Sequence, residues 1–366
     1  MLLPNDIIGQ KYTLIKRLDP GGMGDVWLAE DTILKRKIAI KTIRPNLLAS
    51  NPGALSIFKD EAIVGASLLG HPNVVAVLDY DMHLNAQGEE EYYMVMEFVE
   101  GINIELFINK YKPLIDEETY YYLSVFIAME IVKAITYAQK HNILHRDIKP
   151  LNVFLSKYGI TKVGDFGLAR FVDAVTRTHT VSQFISHPYT APEQWRDEAY
   201  TYKTDIYQLG CTLFQLFTGR FLFDKRNMAA QMHAHLVETP ISPKSLNKYL
   251  SDSLSDHILK MVSKDSKKRG ELWQLYNLLV GELQKKYDLV IDTPSDKQLL
   301  KKIDKITDFD VEDWEEGESH TYEFLDFHEV LSEGIELLLN GITDFTIHPV
   351  NEEEEKEEEE EELSTI

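Results

Sequence analysis

The chain has almost no cysteine. Cys211 is the only one in 366 residues, which excludes a disulfide within one chain and any metal site built on several thiolates. Its place in the apolar run Leu209 to Phe217 makes it a core thiol. No apolar run approaches the roughly 18 residues needed to cross a bilayer. Met1 to Asp6 lacks the basic region and apolar stretch of a signal peptide. The expectation is a cytoplasmic chain without a membrane anchor. Basic charge is scarce at one end only. Residues 1–286 carry 33 acidic and 33 basic side chains, whereas residues 287–366 carry 27 acidic and 5 basic ones, so the net charge of −22 sits there. A surface of that sign disfavours nucleic acid, because phosphates and carboxylates repel.

The acidic end divides in two. Residues 351–366 are dominated by a polyglutamate run broken only by Lys356; self-repulsion and lack of apolar groups predict disorder there. Such a tail keeps a protein soluble, and a basic protein is the alternative partner for it. Residues 286–350 are acidic but carry Leu299, Leu300, Ile303 and Ile306 at helical spacing, then Phe324, Phe327, Leu331 and Leu338. A plain linker would not carry that pattern, so a small, partly helical appendage is expected.

The most informative stretch is His145-Arg146-Asp147-Ile148-Lys149-Pro150-Leu151-Asn152, with Asp165-Phe166-Gly167 beginning thirteen residues after its Asn. Phosphoryl transfer from ATP needs these groups in this order. Asp147 can accept the proton of an attacking hydroxyl, and Asn152 and Asp165 can hold Mg²⁺ against the phosphates. Eight ordered positions plus a metal motif at the right distance set this apart from ordinary loop polarity.

On these residues the chain resembles the eukaryotic-type (Hanks-type) protein Ser/Thr kinases, most of all their bacterial branch. Upstream, Leu18-Asp19-Pro20-Gly21-Gly22-Met23-Gly24-Asp25-Val26 matches the family's Gly-rich phosphate loop at Gly21, Gly24 and Val26, with Asp19 where the first Gly is usual. Ala39-Ile40-Lys41 follows on a β-branched run from Lys37 to Ile43 that reads as a strand. The resemblance implies that Lys41 holds the α- and β-phosphates and that Glu61, in a helical stretch ending before Gly70, pairs with it. Asp60 is the neighbouring acid. By the same resemblance Met96 is the gatekeeper, and the backbones of Glu97 and Val99 meet adenine. Leu18, Gly22, Ala39 and Phe154 complete the nucleotide site. Lys149 steadies the transferred phosphate, and its position is the Ser/Thr-kinase pattern. The resemblance gives Ser186 the hydroxyl position near Asp147 and Lys149, with Ile185 where the family has Gly. Thr178 and Thr180 are the sites expected to take an activating phosphate, clamped by Arg146. Glu193, in Ala191-Pro192-Glu193, and Arg269 are expected to form a buried salt bridge, and Asp205 to brace the catalytic loop.

The expected fold is therefore α+β, a two-lobed protein-kinase fold spanning residues 8–285. The N-lobe, about 8–97, is β-rich; the C-lobe, about 98–285, is helical. The expected cofactors are ATP and Mg²⁺, with Mn²⁺ as a substitute, and the expected substrates are proteins with Ser or Thr. Two other classes compete. A pseudokinase usually loses Lys41, Asp147 or Asp165, and all three are present. A small-molecule kinase of related fold would lack the Ala-Pro-Glu segment.

Overall fold

The computed structural model describes residues 2–19, 24–44, 47, 48, 53–85, 88–166 and 187–287. Gly21 and Gly22, the stretch holding Thr178, Thr180, Ile185 and Ser186, the 286–350 appendage beyond residue 287 and the polyglutamate lie outside the described residues. So does the side chain of Asp19. Apart from residues 157–159, the described chain belongs to one compact unit.

Six antiparallel strands come first: β1 (Ile7–Ile8), β2 (Tyr12–Asp19), β3 (Val26–Asp31), β4 (Arg36–Thr42), β5 (Val77–Leu84) and β6 (Glu90–Glu97). They order as β1-β2-β3-β4-β6-β5. Strand alternation divides the side chains between the two faces. Leu14, Trp27, Ala29, Ile38, Ile40, Tyr93 and Val95 form a core on one face. The opposite face receives helix α1 (Ala54–Ser67), with Phe58 and Ala62 packed on Val77 and Met94. Lys41 follows Ile40, so it points to the helix side.

Helix α1 buries Ala54, Ile57, Phe58, Glu61, Ala62 and Gly65. These fall at i, i+3, i+4, i+7, i+8 and i+11, a stripe of a 3.6-residue period that Val64, also buried, borders. Glu61 is the one charge in the stripe, and Asp60 stands beside it. The fold thus decides between the two acids by phase.

After a small sheet strand β7 (Gly101–Asn103), helix α2 (Glu117–Lys140) runs through the C-lobe. Asp116 starts it by accepting a hydrogen bond from the Thr119 N–H at 2.9 Å, and Glu117 and Glu118 occupy its first turn. By length and composition this helix could cross a bilayer, contrary to the reading that no segment comes near it; its window is mostly buried in the lobe. The apolar residues there belong to a core helix. Strands β8 (Val153–Ser156) and β9 (Thr161–Val163) pair with β7 in the order β7-β8-β9. Helix α3 (Tyr202–Thr218) is buried along nearly its whole length, from Thr204 to Thr218. It begins three residues before Asp205, capped by Thr201. Helices α4 (Met228–Val237), α5 (Asp252–Met261) and α6 (Leu272–Tyr287) complete the lobe. Cys211 is buried in α3, as its apolar context implies.

Three histidines are folded in as neutral rings. Burial pushes the pKa down to about 4 at His71, about 3 at His235 and about 4 at His257. His71 accepts the Asn73 N–H and stacks on Tyr137; His235 lies between Tyr207 Oη and Gln231. A depressed histidine contributes stability that is present above its unfolded pKa of about 6.5 and is lost as the pH falls toward the folded value. Each should therefore remove on the order of 2 kcal/mol between pH 6.5 and pH 5. Urea unfolding followed at pH 7.5, 6 and 5 should show a falling midpoint, with a shallower fall in a His257→Gln variant. A midpoint that stays level across this range contradicts the assignment.

Candidate active site

Lys41 Nζ lies 2.5 Å from Glu61 Oε1 and 3.1 Å from Asp165 Oδ1. One ammonium thus joins β4, α1 and the residue after Gly164. Burial works against the Lys41 charge, but the Asp165 and Glu61 carboxylates outweigh it and raise its pKa above the usual lysine value. The Lys41 charge holds Asp165 below the usual carboxylate range. Glu61 moves the other way, because its burial outweighs the attraction of Lys41. The triad holds two carboxylates for one cation. Asp165 keeps its charge, and Glu61 is the group that acidification neutralises first.

The second half of the site is the catalytic loop. Lys149 Nζ sits 2.7 Å from Asp147 Oδ2. Asn152 Nδ2 donates to the Asp147 carbonyl at 2.9 Å and to its Oδ2 at 3.2 Å. Those two bonds fix the amide, so its carbonyl oxygen is turned away from Asp147. Asp165 and Asn152 therefore offer a carboxylate and an amide oxygen. That hard, oxygen-only set suits Mg²⁺, which takes its remaining ligands from phosphates and water. The residues fit the ion that the motif implies.

The loop is held by one face of α3. Asp205 accepts the His145 and Arg146 N–H groups at 2.8 and 2.7 Å. Gln208 donates to the Arg146 carbonyl at 2.6 Å and accepts the Ile148 N–H at 3.1 Å. Thr212 donates to the Ile148 carbonyl at 3.2 Å. Positions 205, 208 and 212 recur at i, i+3 and i+7, so one helix stripe clasps the backbone of three loop residues, 145, 146 and 148. Asp205 was expected in this role; Gln208 and Thr212 were not. Their signal was present as polar residues on one face of an otherwise apolar helix.

Arg146 and Asp165 adopt φ of +61° and +57°. Left-handed backbone at a non-glycine residue costs about 1–3 kcal/mol and persists where the surroundings impose it. The α3 clasp imposes it at Arg146. At Asp165 the neighbours are His145, whose Nε2 lies 3.0 Å from the Gly164 carbonyl, and Phe166, which packs on the His145 ring at 4.6 Å.

A strap ties this lower half to the sheet above. Asn73 donates to the Thr161 carbonyl at 2.9 Å, and Val75 and Val163 exchange backbone bonds with the opposite segment at 2.9 and 2.8 Å. Buried Glu130, on α2, accepts the Thr161 N–H at 2.6 Å. Glu97 pairs with Lys162 at 2.8 Å. None of these contacts was foreseen from sequence, where Glu97 was named only for its backbone, although Glu130 is a lone acid in an apolar helix turn.

The nucleotide residues fall on adjacent strands. Ala39 pairs in register with Met96, which pairs with Val77 across the sheet, and Val26 pairs with Lys41. The Glu97 N–H is committed to the Ala76 carbonyl at 2.9 Å. An adenine contact at Glu97 therefore falls to its carbonyl. Leu18, Val99 and Phe154 are half-buried. Gly24 has a role beyond pliability. A Cβ there would stand 1.5 Å from the Thr42 carbonyl oxygen, which is backbone and cannot yield. Gly24→Ala should push the phosphate loop away from β4 and displace Lys41; misplacement of about 1 Å costs about a hundredfold in rate. Steady-state kinetics against ATP would read it as a fall in kcat/KM. A variant with the parent's kcat/KM would show that the close approach has no bearing on catalysis.

The protein kinase domain model matches residues 12–278. The chain belongs to the protein kinase domain family. Among curated proteins, this kinase domain is 40% identical over 274 residues to the serine/threonine-protein kinase PrkC of Bacillus subtilis (strain 168), covering 74% of this chain and 40% of that one. It is 36% identical over 270 residues to the probable serine/threonine-protein kinase PknB of Lactococcus lactis, covering 74% and 41%. The chain thus spans about two-fifths of the length of these relatives. A crystal structure of the PknI kinase domain from Mycobacterium tuberculosis superposes with a TM-score of 0.57 at 22% identity, over 77% of this chain and 100% of that one, which shows the shared two-lobed fold.

Proposed function

We propose that this protein transfers the γ-phosphate of ATP to Ser and Thr hydroxyls of proteins. The observation that carries the reading is the Lys149–Asp147 pair, braced by Asn152, together with Lys41 gripped by Glu61 and Asp165. The substrate hydroxyl oxygen attacks the γ-phosphorus in line, the bond to the β–γ bridging oxygen breaks, and ADP leaves. Asp147 orients the hydroxyl and accepts its proton. Lys149 meets the charge on the moving phosphoryl group, and Lys41 holds the α- and β-phosphates. Mg²⁺, held by Asp165 and Asn152, would neutralise phosphate charge when bound. Ordering of these groups before reaction supplies much of the rate.

The relatives named as serine/threonine-protein kinases support the acceptor class. Autophosphorylation at Thr178 or Thr180 is part of the same proposal. Arg146 next to Asp147 is the group that would receive the phosphate, through charge-assisted hydrogen bonds. The reaction is further assigned to the cytoplasm, and a basic protein is the alternative partner for the polyglutamate tail, residues 351–366; both rest on composition. Incubation with radiolabelled ATP and a generic protein, followed by phosphoamino-acid analysis, tests the class. Label on phosphoserine and phosphothreonine is the expected result. Label confined to phosphotyrosine, or to small molecules, overturns it.

A further inference from the structure

Asp25 follows Gly24 and precedes β3, at the C-terminal root of the Gly-rich stretch. Its carboxylate is shared by two arginines. Arg44 Nη2 lies 3.2 Å from Asp25 Oδ1, and Arg17 Nη1 lies 3.9 Å from Oδ2. Arg17 is on β2, at the N-terminal root of the same stretch, where the ladder with β3 is irregular between Arg17 and Asp19. Such an irregularity re-aims side chains. Arg44 follows the end of β4, the strand that carries Lys41. The Asp25 carbonyl is engaged as well. It accepts the Thr42 N–H at 2.9 Å and the Thr42 hydroxyl at 3.3 Å. Val26, next in the chain, pairs in register with Lys41. One residue therefore joins both roots of the Gly-rich stretch to the end of the Lys41 strand.

A carboxylate at the edge of a phosphate site repels the nucleotide. If charge alone mattered, removing it would tighten ATP binding. Here two guanidinium groups face the one carboxylate, so the knot as a whole is cationic. Asp25 is only 20% exposed, which leaves its pairs less screened than those on an open surface.

We propose that Asp25 is a positioning residue for the nucleotide: by clamping Arg17 and Arg44 it fixes the roots of the Gly-rich stretch against the Lys41 strand, and so sets the grip on the phosphates without affecting the adenine site. The inference rests on the nucleotide site of the kinase reading above and deepens it.

The test uses the full chain and two probes, Mg·ATP and adenosine, with dissociation constants measured by calorimetry. In Asp25→Asn the constant for Mg·ATP should rise about fivefold, the effect of losing partly screened ion pairs. Adenosine, which has no phosphates, should bind as before, and that result also shows that the variant is folded. Arg44→Gln should weaken Mg·ATP in the same way, and the double variant should lose less than the sum of the two, because both substitutions break one contact. In steady-state transfer to a generic protein, Asp25→Asn should raise KM for ATP with kcat little changed. Mg·ATP binding that is unchanged or tighter in Asp25→Asn, adenosine weakened in step with Mg·ATP, or losses that add in the double variant, overturns the role of Asp25. Failure of the unaltered protein to bind Mg·ATP overturns the nucleotide site and this inference with it. Binding of Mg·ATP without transfer to any protein overturns the kinase reading alone, and the comparison of Mg·ATP with adenosine still decides for or against Asp25.

Discussion

Asp147→Asn is expected to fold and to bind ATP, yet to transfer phosphate about a hundredfold to ten-thousandfold more slowly. The substitution keeps shape and volume. The Asn152 bond to the Asp147 backbone carbonyl does not depend on the side chain, and the α3 clasp holds the loop through backbone groups of residues 145, 146 and 148. What disappears is the anionic acceptor for the hydroxyl proton and the partner of Lys149 at 2.7 Å. The loss should fall on kcat, with KM for ATP little changed, because the contact that matters forms in the transition state. An Asp147→Asn variant with near-parental turnover, purified free of other kinases, would show that another group takes the proton.

The second large effect is on stability. Arg269 is fully buried, and its guanidinium makes four hydrogen bonds. It makes a fork on Glu193 at 2.6 and 2.8 Å, donates to the Ser263 and Lys203 carbonyls at 2.9 and 2.8 Å, and stacks over Tyr207 at 4.8 Å. Burial alone would raise the Glu193 pKa, but the Arg269 bonds and charge bring it below the usual value. Arg269→Ala leaves that carboxylate buried without its partner and should cost about 3–5 kcal/mol, as for other buried pairs that lose one member. Arg269→Lys should also be costly, since an ammonium cannot reproduce the fork. Equilibrium unfolding in urea measures both. A loss under about 1 kcal/mol for Arg269→Ala would place the pair in the class of exposed bridges. Replacing Glu193 by Gln together with Arg269 by Met should recover part of the loss, because no charge is then stranded.

The chemistry of this chain was more legible than its support. Asp147, Lys149, Asn152 and Asp165 are close in sequence, and their order alone states a reaction. Lys41 and Glu61 are distant, and joining them required a family resemblance; strand alternation and helix phase explain afterwards why those two face each other. Asp60 stands next to Glu61 in the sequence, and the stripe from Ala54 to Gly65 selects Glu61 by phase. Glu193, Arg269 and Asp205 took their expected places. The left-handed backbones at Arg146 and Asp165 had no sequence signal, since neither residue type demands that conformation. Nor did the Glu130–Thr161–Asn73 strap, whose partners lie far apart along the chain. Helix α2 shows the opposite failure. Its composition suits a membrane as well as a core, and only burial tells them apart.

The most direct measurement of the central claim is the transfer of label from γ-radiolabelled ATP to a generic protein in the presence of Mg²⁺, run side by side for the unaltered chain, Asp147→Asn and Asp165→Ala. The account predicts label on serine and threonine with the unaltered chain and little with either variant, while binding of a fluorescent ATP analogue survives in Asp147→Asn. Equal labelling in all three, or none from a correctly folded unaltered chain that binds the analogue, would contradict it.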